Sequence, residues 1–273
     1  MSVLDRDLVV VSGPDALSFL QNLVSQDLDG IADGETRPCL LLSPRGKLDA
    51  AFRVLRVGDE VWLDVEAGFG AALAASLDRF RIRVQADIED RSAGWAMVAI
   101  RDGGPPPAGH MSIPVAGGDD VIGTSDTLDV MTDRGLTAAA YERARIEAGA
   151  PKMGAELDES VIPQEAFLER DAVSFTKGCF LGQELVCRID TRGHVNRFLR
   201  RLCPSGSGRL ASGNEVRVGD RVVGRVTSVT PDDGGPVVAL GFVRREVEPP
   251  AAVTVGEGDS VLSVQLEAIP ADR

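Results

Sequence analysis

A short stretch near residue 180 combines a lysine, two glycines, a cysteine and an aromatic residue. It reads Thr176-Lys177-Gly178-Cys179-Phe180-Leu181-Gly182-Gln183-Glu184. An amine near a cysteine favours the thiolate, which is the form that reacts as a nucleophile and binds metals. The alternative interpretation is a tight loop that leads into a helix, with Cys179 as a small buried side chain. Only three lysines occur, at 47, 152 and 177, among 29 basic residues, and this favours a specific need for an amine at Lys177.

The charge reverses immediately after this stretch. Between Lys177 and Arg201 there are six basic and two acidic residues, a balance of 6 − 2 = +4, whereas the whole chain carries −13. Such a local excess can attract a polyanion or a ligand that bears carboxylates. The alternative is a solvated face with partners within the chain. His194 lies inside the stretch and is a candidate general base for Cys179, but no third orienting group is evident, which disfavours a Cys–His hydrolase.

Composition excludes several classes of protein. The chain has 273 residues, of which 44% are apolar, too many for a disordered chain and enough for a substantial core. No apolar run approaches the roughly 18–20 residues of a membrane helix. The negative net charge disfavours direct nucleic-acid binding over a broad surface. The four cysteines include no C-x-x-C pair, and the segment from Met1 to Gly13, with Asp5 and Asp7 among its valines, does not resemble a signal peptide. We therefore expect a cytoplasmic protein, without a disulfide framework or closed zinc site.

Periodicity indicates an α+β fold. A first helix begins at Pro14, a second carries Leu73, Leu77 and Phe80, and a third runs from Thr137 to Ala148. Short alternating segments between them predict antiparallel strands, among them 81–88. After about residue 203 helical periodicity disappears, and short strands with Gly-rich turns predict a small β-barrel. We therefore predict two domains, 1–203 and 204–273. The usual dinucleotide, phosphate-loop and serine-hydrolase motifs are absent.

Several segments together resemble a known family. Lys177-Gly-Cys-Phe-Leu-Gly-Gln-Glu184, followed by Arg188, resembles the signature of YgfZ-type folate-binding proteins, which are relatives of the glycine-cleavage T-protein, an aminomethyltransferase. Weaker similarities agree with it in order and spacing: a first helix with Gly13, Asp15 and Phe19; Leu41-Leu42-Ser43-Pro44-Arg45-Gly46-Lys47; Arg145-Ile146-Glu147-Ala148-Gly149-Ala150-Pro151; Pro163-Gln164-Glu165; and Val223-Gly224-Arg225-Val226-Thr227-Ser228.

The resemblance implies intertwined α+β subdomains and a C-terminal β-barrel, arranged in a ring around a tetrahydrofolate pocket. It also implies folate-dependent help in assembling or repairing iron–sulfur clusters, with effects on cluster-dependent enzymes such as those that modify tRNA. The residues it implies for the catalytic role are Cys179 and Lys177. Those it implies for binding folate are Asp27, Asp90 and Glu147 at the pterin, Arg188 and Arg192 at the glutamate tail, and Gly178, Gln183 and Glu184 in the signature.

The chain departs from the family pattern at two places. Ser25-Gln26-Asp27 stands where Ser/Thr-Asn-Asp is common, which weakens the assignment of Asp27. Phe180 replaces the commoner tyrosine, so a mechanism that needs that hydroxyl fails here. Separately, Asp90-Arg91-Ser92 is also typical of a turn.

Three functional hypotheses remain open. The first is a folate-binding assembly factor in which Cys179 is the functional thiol, supported by Lys177. The second is an aminomethyltransferase, in which a general acid–base carboxylate such as Asp90 is essential and Cys179 is not. The third is a folate-binding module without chemistry of its own. Under the first, the expected partners are a folate and iron–sulfur assembly proteins or their client enzymes, with no nucleic acid, no membrane and a monomeric chain.

Overall fold

A long first strand, β1 (Val3–Ser12), connects two halves of an antiparallel sheet. The computed structural model describes residues 2–106, 108–115, 117–206, 208–256 and 261–271. One edge of β1 pairs with β4, while its other edge pairs first with β6 and then with β5. The sheet order is β2-β3-β4-β1-β6-β8-β7. The remaining strands are β2 (Thr36–Leu42), β3 (Leu48–Val57), β4 (Glu60–Glu66), β5 (Asp87–Asp90), β6 (Trp95–Ile100), β7 (Met111–Val115) and β8 (Gly118–Thr124).

Helices α1 (Ala16–Leu23) and α2 (Gly70–Asp78) pack on this sheet. Phe19, Leu20 and Leu23 form the buried stripe of α1, as their spacing predicts. Helix α2 ends before Phe80, and the strand predicted at 81–88 is reduced to β5. Ile82 is 74% exposed, so the apolar alternation in this segment does not correspond to a buried face.

Helix α4 (Ala138–Ala148) is the third predicted helix. The Thr137 hydroxyl accepts a hydrogen bond from the Ala140 amide at its start, and Gly149 ends it in the left-handed conformation. Two single-turn helices, α3 (Ser125–Leu128) and α5 (Glu169–Ala172), flank α4 in the sequence, and α6 (Gln183–Arg192) follows them. No helix among the residues described above is long and apolar enough to cross a membrane.

Six antiparallel strands close into a barrel in the order β10-β11-β12-β9-β14-β13. The barrel interior is apolar, with Leu202, Val226 and Val253 among its buried side chains. Strand β9 begins at Arg197, ahead of residue 204, where we predicted the second domain to begin. It was not predicted as a strand because its three arginines obscure the alternation of apolar and polar residues. The six strands are β9 (Arg197–Pro204), β10 (Glu215–Val218), β11 (Arg221–Val229), β12 (Ala239–Arg244), β13 (Ala251–Val255) and β14 (Leu262–Glu267).

Buried polar contacts attach the barrel to α4. The Glu156 carboxylate, which is 2% exposed, accepts hydrogen bonds from Arg145 at 2.9 Å and from the Ser228 hydroxyl at 2.5 Å. Arg143 of α4 is paired with Asp233 and donates to the Pro236 carbonyl at 2.6 Å. These contacts hold α4 against the β11–β12 turn.

Candidate functional site

The Lys-Gly-Cys motif forms a loop between α5 and α6. Cys179 is exposed at the surface of this loop. Lys177 on one side and Phe180 on the other are buried, at 9% and 6% exposure. A Cβ atom on Gly178 would meet nothing within 4 Å, so the space beside the thiol is open. The loop therefore presents Cys179 to solvent between two buried anchors.

The Lys177 ammonium is directed away from the loop. Its nitrogen donates to the main-chain carbonyl oxygens of Gln21 at 2.6 Å, Val24 at 2.8 Å and Gln26 at 2.8 Å. Three carbonyls match the three N–H donors of an ammonium. Burial lowers the pKa of Lys177, while the charges of Cys39 and Asp27 act in the opposite direction. Among the described residues no hydrogen bond joins Lys177 to Cys179, so the amine serves as an anchor of the loop.

Two motifs that are distant in sequence meet at this loop. Gly46 lies in the turn between β2 and β3, and Gly182 caps the N-terminus of α6; both have positive φ, 71° and 77°. A Cβ atom on Gly182 would lie 2.5 Å from the Ser43 carbonyl oxygen, and one on Gly46 would lie 2.6 Å from the Leu185 Cβ. Glycine is required at both positions by conformation and by contact. The β2–β3 turn therefore supports the loop that carries Cys179.

The charged residues after Cys179 lie on the exposed face of α6. Glu184 and Arg188 form an ion pair at 2.7 Å with both side chains mostly exposed. Arg192 is exposed in the last turn, Gln183 is half-buried in the first, and His194 is exposed beyond the helix. None of them contacts Cys179 through a hydrogen bond in the part of the chain that the structure describes.

A central cavity of about 490 Å³ lies between the sheet, α4 and α5. A second cavity of about 190 Å³ adjoins it and shares Arg53, Tyr141 and Leu168 in its wall. The larger cavity is mostly apolar, with a few polar groups. Its lining residues are Thr36, Pro38, Arg53, Arg101, Ile113, Pro114, Val115, Asp120, Tyr141, Ala144, Arg145, Ala148, Ala150, Pro151, Leu168, Asp171 and Ala172.

One wall of the cavity rests on a buried ionic network. Asp120 accepts from Arg53 at 2.5 Å and from Arg101 at 2.8 Å, and Asp64 accepts from Arg53 and Arg6 behind them. Burial tends to raise the pKa of Asp64, but the two guanidinium groups outweigh it and hold that pKa below its usual value. All these carboxylates are committed to arginines within the protein.

Tyr141 and Thr36 add hydroxyl groups to the lining of the same cavity. Burial, together with the charges of Asp120 and Glu66, raises the pKa of Tyr141 to about 12, so its hydroxyl remains a donor at neutral pH. The Thr36 hydroxyl oxygen is buried and has no hydrogen-bond partner among the described residues. Asp171 contributes an exposed carboxylate to the cavity rim.

The three acids predicted for the pterin do not line the central cavity. Asp27 follows α1, where hydrogen bonds from the Gln21 side chain and the Asp29 amide lower its pKa. Asp90 closes a turn by accepting from the Ser92 hydroxyl at 2.5 Å. Glu147 is paired with Arg143 on α4. Their assignment to a ligand stays a prediction.

Sequence reasoning missed most of the cavity wall. Two signals were available: Tyr141 is the one tyrosine of the chain, and Arg145 stands in the quoted Arg-Ile-Glu-Ala-Gly segment. Thr36 in β2, Arg101 just after β6 and Asp171 in α5 are far apart in the sequence and carry no local motif. Among the described residues, no group of three or more His, Cys, Asp or Glu side chains is placed to hold a metal ion.

Known proteins are similar to the chain over nearly its whole length. No family model matches it. A tRNA-modifying protein YgfZ from Klebsiella pneumoniae is 25% identical and covers 99% of this chain and 92% of its own. The Escherichia coli protein of the same name is 24% identical over 97% of this chain and 91% of its own. A mitochondrial iron–sulfur cluster assembly factor IBA57 homolog from Mycosarcoma maydis is 28% identical over 70% of this chain and 54% of its own.

The fold has a solved counterpart. The aminomethyltransferase T of the glycine cleavage system from Bartonella henselae superposes with a TM-score of 0.80, covering 98% of this chain and 85% of the other at 18% identity. The predicted α+β fold with a β-barrel is confirmed, and so is the resemblance to YgfZ-type proteins that the motifs indicated.

Proposed function

We propose that this protein binds tetrahydrofolate in the central cavity and assists the assembly or repair of iron–sulfur clusters, with Cys179 as its functional thiol. The relatives support the second part, because they are named as a tRNA-modifying protein and as an iron–sulfur cluster assembly factor. The observation that carries the proposal is the exposure of Cys179 between two buried anchors, on a loop fixed by the β2–β3 turn.

The cavity fits a folate in size and chemistry. Pockets for molecules of this class measure roughly 300–1,000 Å³ and are mostly apolar with a few convergent polar groups, and this cavity of about 490 Å³ is of that kind. The Thr36 hydroxyl, which has no hydrogen-bond partner in the described part of the chain, and the Tyr141 hydroxyl would hydrogen-bond the ligand. Asp171 would accept from the amino and ring N–H groups of the pterin, as carboxylates can. When bound, tetrahydrofolate supplies its capacity to carry one-carbon units.

Cys179 would act on the cluster pathway as a single thiolate. One thiolate cannot hold a closed metal site, which takes about four protein ligands. An exposed thiolate can, however, bind an iron or cluster transiently as substrate, or attack a disulfide of a client protein, breaking its S–S bond to form a mixed disulfide and releasing the other sulfur as a thiolate. The buried anchors on each side hold the thiol at the surface for such an encounter.

A second candidate is aminomethyl transfer to tetrahydrofolate. The similarity in fold to an aminomethyltransferase favours it. That reaction would depend on a carboxylate in the cavity rather than on Cys179. A variant of Cys179 therefore separates the two candidates, because the first depends on this thiol and the second does not, whereas Asp171 would hold the folate in both.

Calorimetric titration with tetrahydrofolate tests the pocket. We expect the wild type to bind, Asp171→Asn to bind at least about tenfold more weakly, a loss of about 1.4 kcal/mol, and Cys179→Ala to bind like wild type. Asp232→Asn is the matched control, because Asp232 is an exposed carboxylate on a barrel turn. Absence of binding to the wild type at high micromolar concentrations would contradict both candidates.

A further inference from the structure

Two arginines and two phenylalanines form a cluster where the residues around α5 meet strand β9. The rings of Phe167 and Phe198 are stacked, with centroids 5.4 Å apart. The Arg170 guanidinium carbon lies 4.3 Å from the Phe167 centroid. The Arg200 guanidinium carbon lies 4.8 Å from the Phe198 centroid and 5.7 Å from that of Phe167. We call these four residues the Arg–Phe cluster.

Arg200 is buried, and no carboxylate of the described residues is paired with it. The residue is 8% exposed, and its Nε has no hydrogen-bond partner among the described residues. Its terminal nitrogen NH1 contacts the Leu199 carbonyl at 3.3 Å, and no ion pair of Arg200 occurs within that part of the chain. Arg6 and Arg145, which are buried to a similar extent, are both paired with carboxylates. An unpaired buried charge is costly, so the contrast indicates a missing partner.

A neighbouring positive charge makes the burial of the Arg200 guanidinium more unfavourable. Burial lowers the pKa of Arg200, and repulsion from Arg170 lowers it further. Glu248 acts in the opposite direction from a distance, without an ion pair to Arg200 in the described structure. Two guanidinium groups therefore share one site, and among the described residues no acid forms an ion pair with either of them.

The contacts with the phenylalanine rings involve the faces of the two guanidinium groups. A cation–π contact uses the face of a guanidinium, whereas an oxyanion is bound along its edge, in the plane of the N–H groups. Phe167 has φ +58°, a conformation that non-glycine residues rarely adopt. Conformations of this kind persist where the surrounding structure requires them, and they concentrate at binding sites.

We infer that the Arg–Phe cluster is a binding site for an oxyanion, a carboxylate or phosphate group held by Arg200 and Arg170. One source is the glutamate tail of a folate, because Leu168 and Asp171, the neighbours of Phe167 and Arg170 in sequence, line the central cavity. This source rests on the proposed function. The other source is a free anion. Arg188, by contrast, is already paired with Glu184.

Thermal unfolding with simple anions tests the site directly. At constant ionic strength, we expect inorganic phosphate or L-glutamate to raise the Tm of the wild type. Arg200→Met should abolish that rise, and Arg170→Gln should reduce it at least about threefold. Arg209→Gln is the control, since Arg209 is an exposed arginine of the barrel. Without anion, we expect Arg200→Met to unfold at a Tm close to that of wild type, because relief from an unpaired buried charge offsets the loss of the contacts with the Phe167 and Phe198 rings.

Binding of tetrahydrofolate and of tetrahydropterin distinguishes the two sources of the oxyanion, the glutamate tail of a folate and a free anion. If the tail is the source, Arg200→Met should bind tetrahydrofolate at least about tenfold more weakly and bind tetrahydropterin, which lacks the tail, unchanged. Phosphate bound through Arg200 by a protein that fails to bind tetrahydrofolate would support this site and contradict the proposed function. Equal responses of wild type, Arg200→Met and Arg170→Gln to every ligand would overturn the site and leave folate binding standing. If Arg200→Met does not fold, Arg170→Gln, at an exposed position, decides the question alone.

Discussion

The ammonium nitrogen of Lys177 lies 2.8 Å from the main-chain carbonyl oxygen of Val24, the residue that caps the C-terminus of α1. A cation at the C-terminus of a helix is favoured by the helix dipole and by the unpaired carbonyls there. The contact fixes the loop that carries Cys179 to the first helix of the chain. Its consequence is that the position of the thiol depends on a lysine that does not touch it.

Replacement of Lys177 by methionine should destabilise the protein. Lys177→Met keeps the apolar stem but leaves three buried carbonyls without a donor, so we expect a loss of about 1–3 kcal/mol in the free energy of unfolding. Lys177→Arg should not restore it, because a planar fork cannot replace an ammonium among three converging carbonyls. Urea denaturation measures both. Lys47→Met, at an exposed lysine of the β2–β3 turn, is the control; equal stability of Lys177→Met and the control would contradict the anchor.

The contact between Gly182 and the β2–β3 turn gives a second prediction. Gly182→Ala should cost about 1–2 kcal/mol for its positive φ and more for the clash with the Ser43 carbonyl oxygen, 2.5 Å from the added Cβ. Gly58→Ala is matched in conformation, with φ +56°, but its Cβ would meet nothing within 4 Å. Thermal denaturation measures the loss of stability in both variants. The loss that they share comes from the positive φ, and any further loss in Gly182→Ala comes from the contact with Ser43. Equal losses would show that the two segments do not support each other.

Because the buried Asp64 carboxylate is paired with two arginines, we expect the free energy of unfolding to depend on pH in the acid range. Its pKa in the folded protein lies below the ordinary 3.8, since the guanidiniums of Arg53 and Arg6 outweigh the effect of burial. The stabilisation is therefore complete above about pH 3.8 and is lost as pH falls through the lower, folded pKa. Asp64→Asn should lose about 3 kcal/mol at neutral pH, and the difference from wild type should shrink in strong acid.

The control for this experiment is Asp59→Asn, an exposed aspartate whose nearest arginine is 3.9 Å away. We expect it to follow the wild type within about 0.5 kcal/mol at every pH. If the difference in the free energy of unfolding between Asp64→Asn and wild type stayed constant down to pH 2, protonation of Asp64 would not be what weakens the fold in acid.

The four cysteines should react in a defined order. Cys179 is exposed and should be alkylated first at neutral pH, and the half-buried Cys187 should follow. Burial raises the pKa of Cys39 to about 12 and also raises that of Cys203, so these two thiols should be protected until the protein unfolds. Timed alkylation with peptide mass spectrometry reads the order. Labelling of Cys187 or Cys39 before Cys179 would be inconsistent with the loop as described.

Local signals predicted the fold better than they predicted the cavity. Helix α4 was predictable because Thr137 and Gly149 mark its ends, and α1 because its apolar residues recur at helical spacing. Strand β9 was missed because arginines occupy positions where strand alternation would be read. The cavity wall joins Thr36, Arg101 and Asp171 from three distant segments, and such a meeting depends on tertiary contacts that no local pattern records. Lys177 was singled out by its rarity, but its hydrogen-bond partners, about 150 residues earlier in α1 and the segment after it, were not predicted.

The most direct test of the central claim is rescue of a deletion strain, scored by the activity of an iron–sulfur enzyme in cell extracts. The strain would carry wild type, Cys179→Ala or Cys187→Ala, with Cys187 as the control thiol on the adjacent helix, and equal protein levels confirmed by immunoblot. We predict that Cys187→Ala restores the activity and that Cys179→Ala does not, although the purified Cys179→Ala protein binds tetrahydrofolate like wild type. Full rescue by Cys179→Ala would contradict the account.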